Sequence, residues 1–179
     1  MKNLMYLFCL SLFFFSCGSD DDSVIEDPLQ NNSPYYMTFT ESGNNYDSRA
    51  SIGVGVDGAI IEDPNFLALA LGTDFVTNNG DFLAVIITLE GNSSDGFGSG
   101  FEVNGTNDDF VLEFIYSKSN LSGTVDFSGS AHDDSVYLKI LSIDRDNKII
   151  SGNFSFTAVS DTSSQTRTVT NGFFNINYQ

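Results

Sequence analysis

From Pro34 to the C-terminus, no stretch of ten or more residues carries apolar side chains at the 3.6-residue spacing of an amphipathic helix. Short runs of β-branched and aromatic residues recur instead, punctuated by Gly, Asn and Asp. A period of two puts alternate side chains on opposite faces of a strand, and strands must pair, so the pattern predicts an all-β domain. Tyr35 to Thr40 sets Tyr35, Met37 and Phe39 on one face, and Ser42-Gly43-Asn44-Asn45 turns the chain into a short strand around Tyr46. Residues 50 to 61 alternate Ile52, Val54, Val56 and Ile60 with Ser51, Gly53, Gly55 and Asp57, an apolar face backed by a bare one. Phe66 to Gly72 and Phe82 to Glu90 follow, joined by the turn-like Thr77-Asn78-Asn79-Gly80-Asp81. Phe82 to Leu89 is apolar on both parities, which predicts a central strand covered on both faces.

A Gly-rich loop, Gly91 to Gly100, reads as a flexible hairpin connection leading to Phe101 and Val103, and Asn104-Gly105 turns toward a strand over Phe110 to Tyr116. A weaker strand, Gly123 to Phe127, precedes a polar loop over Ser128 to Ser135. Val136 to Ile143 and Ile149 to Val159 form a long hairpin with Asp144-Arg145-Asp146-Asn147 at its tip, and Arg167 to Tyr178 sets Phe174, Ile176 and Tyr178 on one face. About nine to eleven strands with short links fit an antiparallel meander, forming a β-sandwich or a flattened, open barrel rather than a fully closed one.

The N-terminus is of another kind. MKNLMYLFCLSLFFFSC carries Lys2, an apolar run from Leu4 to Phe15, and Ser16 directly before Cys17. The run is shorter than the ~20 apolar residues that cross a bilayer, so residues 1–16 read as a cleaved signal peptide. The segment resembles the lipobox of bacterial lipoproteins, although Phe14 and Phe15 stand where such boxes usually carry Leu and a small residue; bulky residues near the cut occur in signals of the Bacteroidota type. The resemblance implies a diacylglycerol on the Cys17 sulfur, cleavage before Cys17 and acylation of the new amino group. Ser19-Asp20-Asp21-Asp22 resembles the acidic export signal that sends Bacteroidota lipoproteins to the outer face of the outer membrane. Residues 17–33 then read as a lipidated, flexible acidic tether and 34–179 as one domain. Cys9 leaves with the signal, so no disulfide staples the domain.

Two further strings, Tyr36-Met37-Thr38-Phe39-Thr40 with Gly43-Asn44-Asn45-Tyr46-Asp47, and Ile150 to Ala158 with Val169 to Ile176, resemble the opening hairpin and closing strands of small uncharacterised flavobacterial lipoproteins. That likeness carries no activity. Within it Phe154 and Phe156 face the core together, and Asn171-Gly172 suits a bulge or a close backbone approach.

Charge removes some classes of partner. With 24 acidic against 7 basic residues and a formal charge of −17, the chain has no clustered cations for nucleic acid or an anionic lipid surface. The one histidine, His132, precedes Asp133 and Asp134, but no G-x-S-x-G elbow supplies a nucleophile and no second His or mature Cys supplies a transition-metal site. Asp108-Asp109, Asp133-Asp134 and Asp144/Asp146 offer the hard oxygens that Ca2+ takes. Lys148 and Ile149 break the EF-hand pattern after Asp144, so turn formation is the favoured role and no metal or cofactor is expected. A glycosidase carboxylate pair is not identifiable by spacing, and the Gly91 to Gly100 loop lacks the Lys and Ser/Thr of a phosphate loop. Asp22-Ser23-Val24 and Asp134-Ser135-Val136 resemble the O-glycosylation acceptor of Bacteroidota, with Ser23 in the tether the better placed. The expectation is a surface-exposed outer-membrane lipoprotein without enzymatic activity, a binding or accessory module for an envelope protein or glycan. A lipocalin-like carrier with phenylalanines lining its lumen ranks second and a hydrolase third.

Overall fold

A computed structural model describes residues 33–179 apart from 78, 106–108 and 121. Eleven strands follow in order: β1 (Tyr36–Glu41), β2 (Asn44–Asp47), β3 (Ile52–Asp63), β4 (Phe66–Val76), β5 (Asp81–Gly91), β6 (Glu102–Asn104), β7 (Phe110–Asn120), β8 (Val125–Ala131), β9 (Val136–Asp144), β10 (Ile149–Ser160) and β11 (Thr166–Asn177). Single 3-10 turns cover Ser48–Ala50 and Asp133–Ser135. All the strands belong to one antiparallel sheet curled into an open half-barrel, the second of the two architectures the alternation allowed.

The strand order is β2-β1-β11-β10-β8-β7-β5-β4-β3, with β9 on β10 and β6 on β9. It departs from a simple meander in three ways, the first being that β6 leaves its place between β5 and β7 to pair with β9. The first strand pairs with the last, from Tyr36 opposite Asn175 to Glu41 opposite Val169, so the two ends of the domain are stitched together. The sheet also forks along β10, which pairs with β9 from Ile149 to Phe156 and then with β8 at Val159 and Ser160. The edge strand β3 approaches the end of β11 at a parallel bridge between Gly58 and Tyr178, where the Gln179 N–H donates to the Gly58 carbonyl at 2.9 Å.

Curvature has local causes. Register shifts break the β1–β11, β9–β10 and β10–β11 ladders, and each such irregularity bends and twists its strand. At the β10–β11 shift Asn171 takes a left-handed φ of 52°, and a Cβ on Gly172 would sit 2.5 Å from the Phe154 carbonyl oxygen. Only glycine allows that approach. The β1–β2 turn carries Ser42 at φ 50° and Gly43 at φ 82°, the pair of left-handed residues that a two-residue hairpin requires.

The inner face is aromatic. Met37 and Phe39, Leu69 and Leu71, Val85 and Ile87, Phe114 and Tyr116, Phe154 and Phe156, and Phe174 and Ile176 are all buried on it. Phe114 stacks on Phe156 at 4.6 Å between centroids and on Phe154 at 5.8 Å, and Phe39 meets Tyr116 at 6.3 Å and Phe75 at 6.2 Å. Phe154 carries the chain of rings on to Phe174 at 6.4 Å. Each buried ring contributes about 1.5–3 kcal/mol by leaving water, and paired rings add about 0.5–1.5 kcal/mol.

Three sequence expectations are corrected. The polar segment after Phe127 is not loop throughout: β8 continues to Ala131, because Phe127, Gly129 and Ala131 take the inner face while Ser128 and Ser130 take the outer one. The loop from Gly91 to Gly100 is no hairpin connection, since β5 pairs with β7 and β6 with β9; Phe97 is buried against Phe101, and Gly100 N–H donates to Ile140 O at 2.8 Å. Finally, β5 is central between β4 and β7, but only its odd face is covered by the core. Phe82, Ala84 and Ile86 turn outward and are half-buried.

Candidate functional site

Polar groups converge at one end of the inner face, where β1 and β7 finish and β5 begins. The alternation that buries Met37 and Phe39 also buries Glu41, and the one that buries Leu112, Phe114 and Tyr116 brings Lys118 to the same side. Glu41 is only 3% exposed; its Oε1 accepts from Ser42 Oγ at 2.6 Å and lies 3.7 Å from Arg167 Nε. Lys118 Nζ donates to Asp81 Oδ2 at 3.2 Å and to the Tyr46 hydroxyl at 3.4 Å. Burial opposes its charge, yet the hydrogen bonds to Asp81 and Tyr46 outweigh that and raise its pKa. The Tyr116 hydroxyl, in the same neighbourhood, is buried without a hydrogen-bond partner among the described residues. Burial pushes its pKa up, and the nearby Glu41 carboxylate and Tyr46 push the same way.

This end is therefore charge-balanced, Lys118 against Asp81 and Arg167 against Glu41. Burial and the neighbouring carboxylate thus favour the protonated phenol. No sequence motif marked these residues. The available signal was a Glu and a Lys in phase with an apolar stripe, where alternation alone expects another apolar side chain.

The second collection of polar groups lines an open groove of about 250 Å³, bordered by Ser130, His132, Ser135, Val159 and Asp161, where β8 and β9 diverge along β10. His132 Nδ1 lies 2.6 Å from Asp133 Oδ2, with both side chains mostly exposed at 62% and 74%. Ser135 Oγ donates to the His132 backbone carbonyl at 2.8 Å, which directs it to the main chain and not to the imidazole. A serine, a histidine and aspartates share this groove without forming the relay that activates a nucleophile. Ser135 itself is exposed on the groove wall.

Of the candidate aspartates, Asp144 acts as a turn former. Asp144 accepts from the backbone N–H of Asp146 at 3.1 Å and of Asn147 at 3.0 Å, and from the Asn147 side chain at 2.7 Å. Those bonds, the Asn147 amide first, hold its carboxyl below the usual range. Among the described residues no three His, Cys, Asp or Glu side chains are grouped to hold a metal. The signal over 1–16, Cys17, Ser19, Asp20, Asp21, Asp22, Ser23 and all of the tether but Ser33 lie outside the described residues, as does Asp108. Among the residues described, no helix is long and apolar enough to cross a membrane. No protein-family model, curated protein or solved structure matches this chain.

Proposed function

We propose that the chain is a lipoprotein anchored through Cys17 to the outer membrane and facing the exterior, whose β domain is a non-enzymatic module that binds an envelope protein or glycan. The observation that carries the reading is the continuous set of ring contacts from Phe75 through Phe39, Tyr116, Phe156 and Phe114 to Phe154 and Phe174. These rings occupy the space in which a lipocalin-like carrier would hold its cargo, which favours binding on the outside of the sheet. The Ser135 hydroxyl, turned to a main-chain carbonyl and away from the imidazole, supports a module without catalytic chemistry.

The test uses the full chain expressed in a Bacteroidota host. Labelled palmitate should enter the wild-type chain and not Cys17→Ser, and protease added to intact cells should remove the domain. Crosslinking on those cells and glycan-array binding should then recover a partner. Unlabelled protein, or a domain resistant to protease until the envelope is opened, would overturn the address. Turnover of a glycan or ester substrate would overturn the non-enzymatic reading.

A further inference from the structure

We propose that the outer face of β3, β4, β5 and β7 is a docking surface for a protein segment whose apolar side chains are flanked by lysine or arginine. The proposal rests on the reading of the domain as a binding module and names the class of its partner.

Register defines the surface. Ile61, Ala68, Glu90 and Val111 are successive cross-strand partners over the four strands, and Asp57, Gly72, Ile86 and Ile115 form a parallel row two steps along. A third row of the same parity, Ala59, Ala70, Thr88 and Glu113, lies between them with Thr88 only 7% exposed, and the alternating residues Leu69, Leu71, Ile87 and Phe114 are buried in the core, so the three rows face outward. Ile61 and Val111 are 46% and 54% exposed, and Phe66, at the β3–β4 turn, is 42% exposed. A soluble antiparallel sheet turns polar side chains to water on its free face. Here the apolar-on-both-parities pattern of β5 is that of a strand with two covers, and this domain supplies one. An uncovered apolar face of this extent marks an interaction site.

Charge selects the occupant. No Lys or Arg occurs between Arg49 and Lys118, the span that contains all of β3, β4 and β5 and the first part of β7. Asp57, Glu90 and Glu113 stand on these rows and Asp74 on the next outward one, and none of the four makes an ion pair among the described residues. Five of the six cations of the domain are already held by acids elsewhere: Arg49 by Asp47, Lys118 by Asp81, Lys139 by Glu102, Arg145 by Glu62 and Arg167 by Glu41. Burial raises the Asp74 pKa and the Asp57 carboxylate adds to it, so a cation arriving there would relieve crowding of like charge. A second copy of the chain, or an anionic membrane, would bring acid to acid. A basic, apolar segment complements the face in both respects.

The probe is a fluorescent 14-residue peptide alternating Leu and Lys, with an otherwise identical Leu/Glu peptide as control, titrated by anisotropy into the full chain carrying Cys17→Ser. The Lys peptide should bind and weaken as salt rises, and the Glu peptide should not bind. Gly72→Arg places a cation in the middle of the face, where a Cβ meets nothing closer than 3.9 Å, so the variant should fold. It should weaken the Lys peptide at least tenfold, and Glu90→Lys with Glu113→Lys should do the same and flatten the salt dependence. Val159→Arg, on the groove, should leave affinity unchanged. Equal binding of the two peptides, or face variants that bind like the wild type, would overturn the proposal. Self-association in sedimentation velocity, or co-sedimentation with phosphatidylglycerol vesicles, that Gly72→Arg abolishes would overturn it in favour of a second copy or a lipid surface. The titration needs no anchor, so its failure alongside normal lipidation and surface cleavage would sink the docking face and leave the module reading standing.

Discussion

Tyr116 keeps a fully buried hydroxyl without a hydrogen-bond partner among the described residues, and that group has lost its water contacts with nothing in return. Tyr116→Phe removes the hydroxyl and keeps the ring in contact with Phe39, Phe127 and Phe156. The variant should be more stable by about 1 kcal/mol, the lower end of the cost of an unsatisfied buried polar group, read as a higher urea midpoint at unchanged slope. A lower midpoint would mean that the hydroxyl has a bound water or ligand as partner, and would make this end of the inner face a binding site. Asp74 tests a second residue-scale effect, with the opposite chemistry. Burial raises its pKa in the folded chain, so the fold binds its proton more tightly than the unfolded chain does. Stability from this group is therefore present at low pH and is lost as pH rises from the unfolded value of 3.8 through the folded one. Asp74→Asn should raise the melting temperature at pH 7 by about 1–2 °C, with the gain vanishing below about pH 3, where the carboxyl is neutral in both states. A gain that persists in acid would assign the effect to something other than charge.

At the scale of elements, strand identity was legible because alternation is local: Met37/Phe39, Phe154/Phe156 and Phe174/Ile176 each announced their buried face, and Ser42-Gly43-Asn44-Asn45 announced the hairpin, although its turn takes only Ser42 and Gly43 and β2 starts at Asn44. Pairing was less legible, because it is decided between distant strands. Nothing near Tyr36 says that its partner is Asn175, and nothing near Val103 says that β6 joins Leu138 of β9. Polar strand residues such as Ser128 and Ser130 hid the end of β8, since only their inner neighbours Phe127 and Ala131 carry the pattern. The candidate site was legible only in outline. His132, Asp133 and Ser135 were visible as a string, yet Ser135 Oγ turns to a main-chain carbonyl, a choice of rotamer and turn geometry that spacing does not encode. Glu41 of β1 and Tyr46 of β2 come near Tyr116 and Lys118 of β7, which three strands separate from β1 in the sheet order, only because the half-barrel curls. The Asn171-Gly172 pair is where sequence and element agree most directly, and it can be measured. Gly172→Ala drives a methyl group to 2.5 Å from the Phe154 carbonyl oxygen and 2.7 Å from its ring. Either β10 and β11 separate at their bulge or Phe154 leaves its stack on Phe156. The variant should lose about 2–3 kcal/mol, in the range of overpacking, with faster amide exchange confined at first to β10 and β11. An Ala variant as stable as the wild type would show that the close approach is not a requirement of the fold.

For the whole molecule the governing quantity is a formal charge of −17 carried on a chain with 7 basic residues. Folding concentrates the part of that charge carried by residues 34–179, 19 acids against 6 bases, and the unfolded chain relieves it by spreading out, so mutual repulsion works against the half-barrel. The five Lys and Arg ion pairs oppose the repulsion only weakly, because exposed pairs such as Arg49–Asp47, with side chains 45% and 35% exposed, are each worth about 0–1 kcal/mol and are screened by the same salt. The two effects have opposite signs. Screening weakens the pairs, which lowers stability, and it weakens the repulsion, which raises stability. With 19 acids against 6 bases in residues 34–179, repulsive pairs outnumber attractive ones, and at the ~8 Å Debye length of physiological salt the longer-range repulsion is cut more than contacts at 2.6 to 3.7 Å. Repulsion should therefore dominate the response. Raising sodium chloride from 10 to 200 mM should increase the melting temperature by several degrees, an increase of about 1–2 kcal/mol in stability. Lowering the pH from 8 toward 5 at fixed low salt should change it far less, since ordinary carboxylates titrate below that interval. A melting temperature that falls on adding salt would mean that the five pairs outweigh the net charge. The docking face would answer the same titration from the other side, because a basic segment laid over Asp57, Asp74, Glu90 and Glu113 would both stabilise the fold and reduce its dependence on salt.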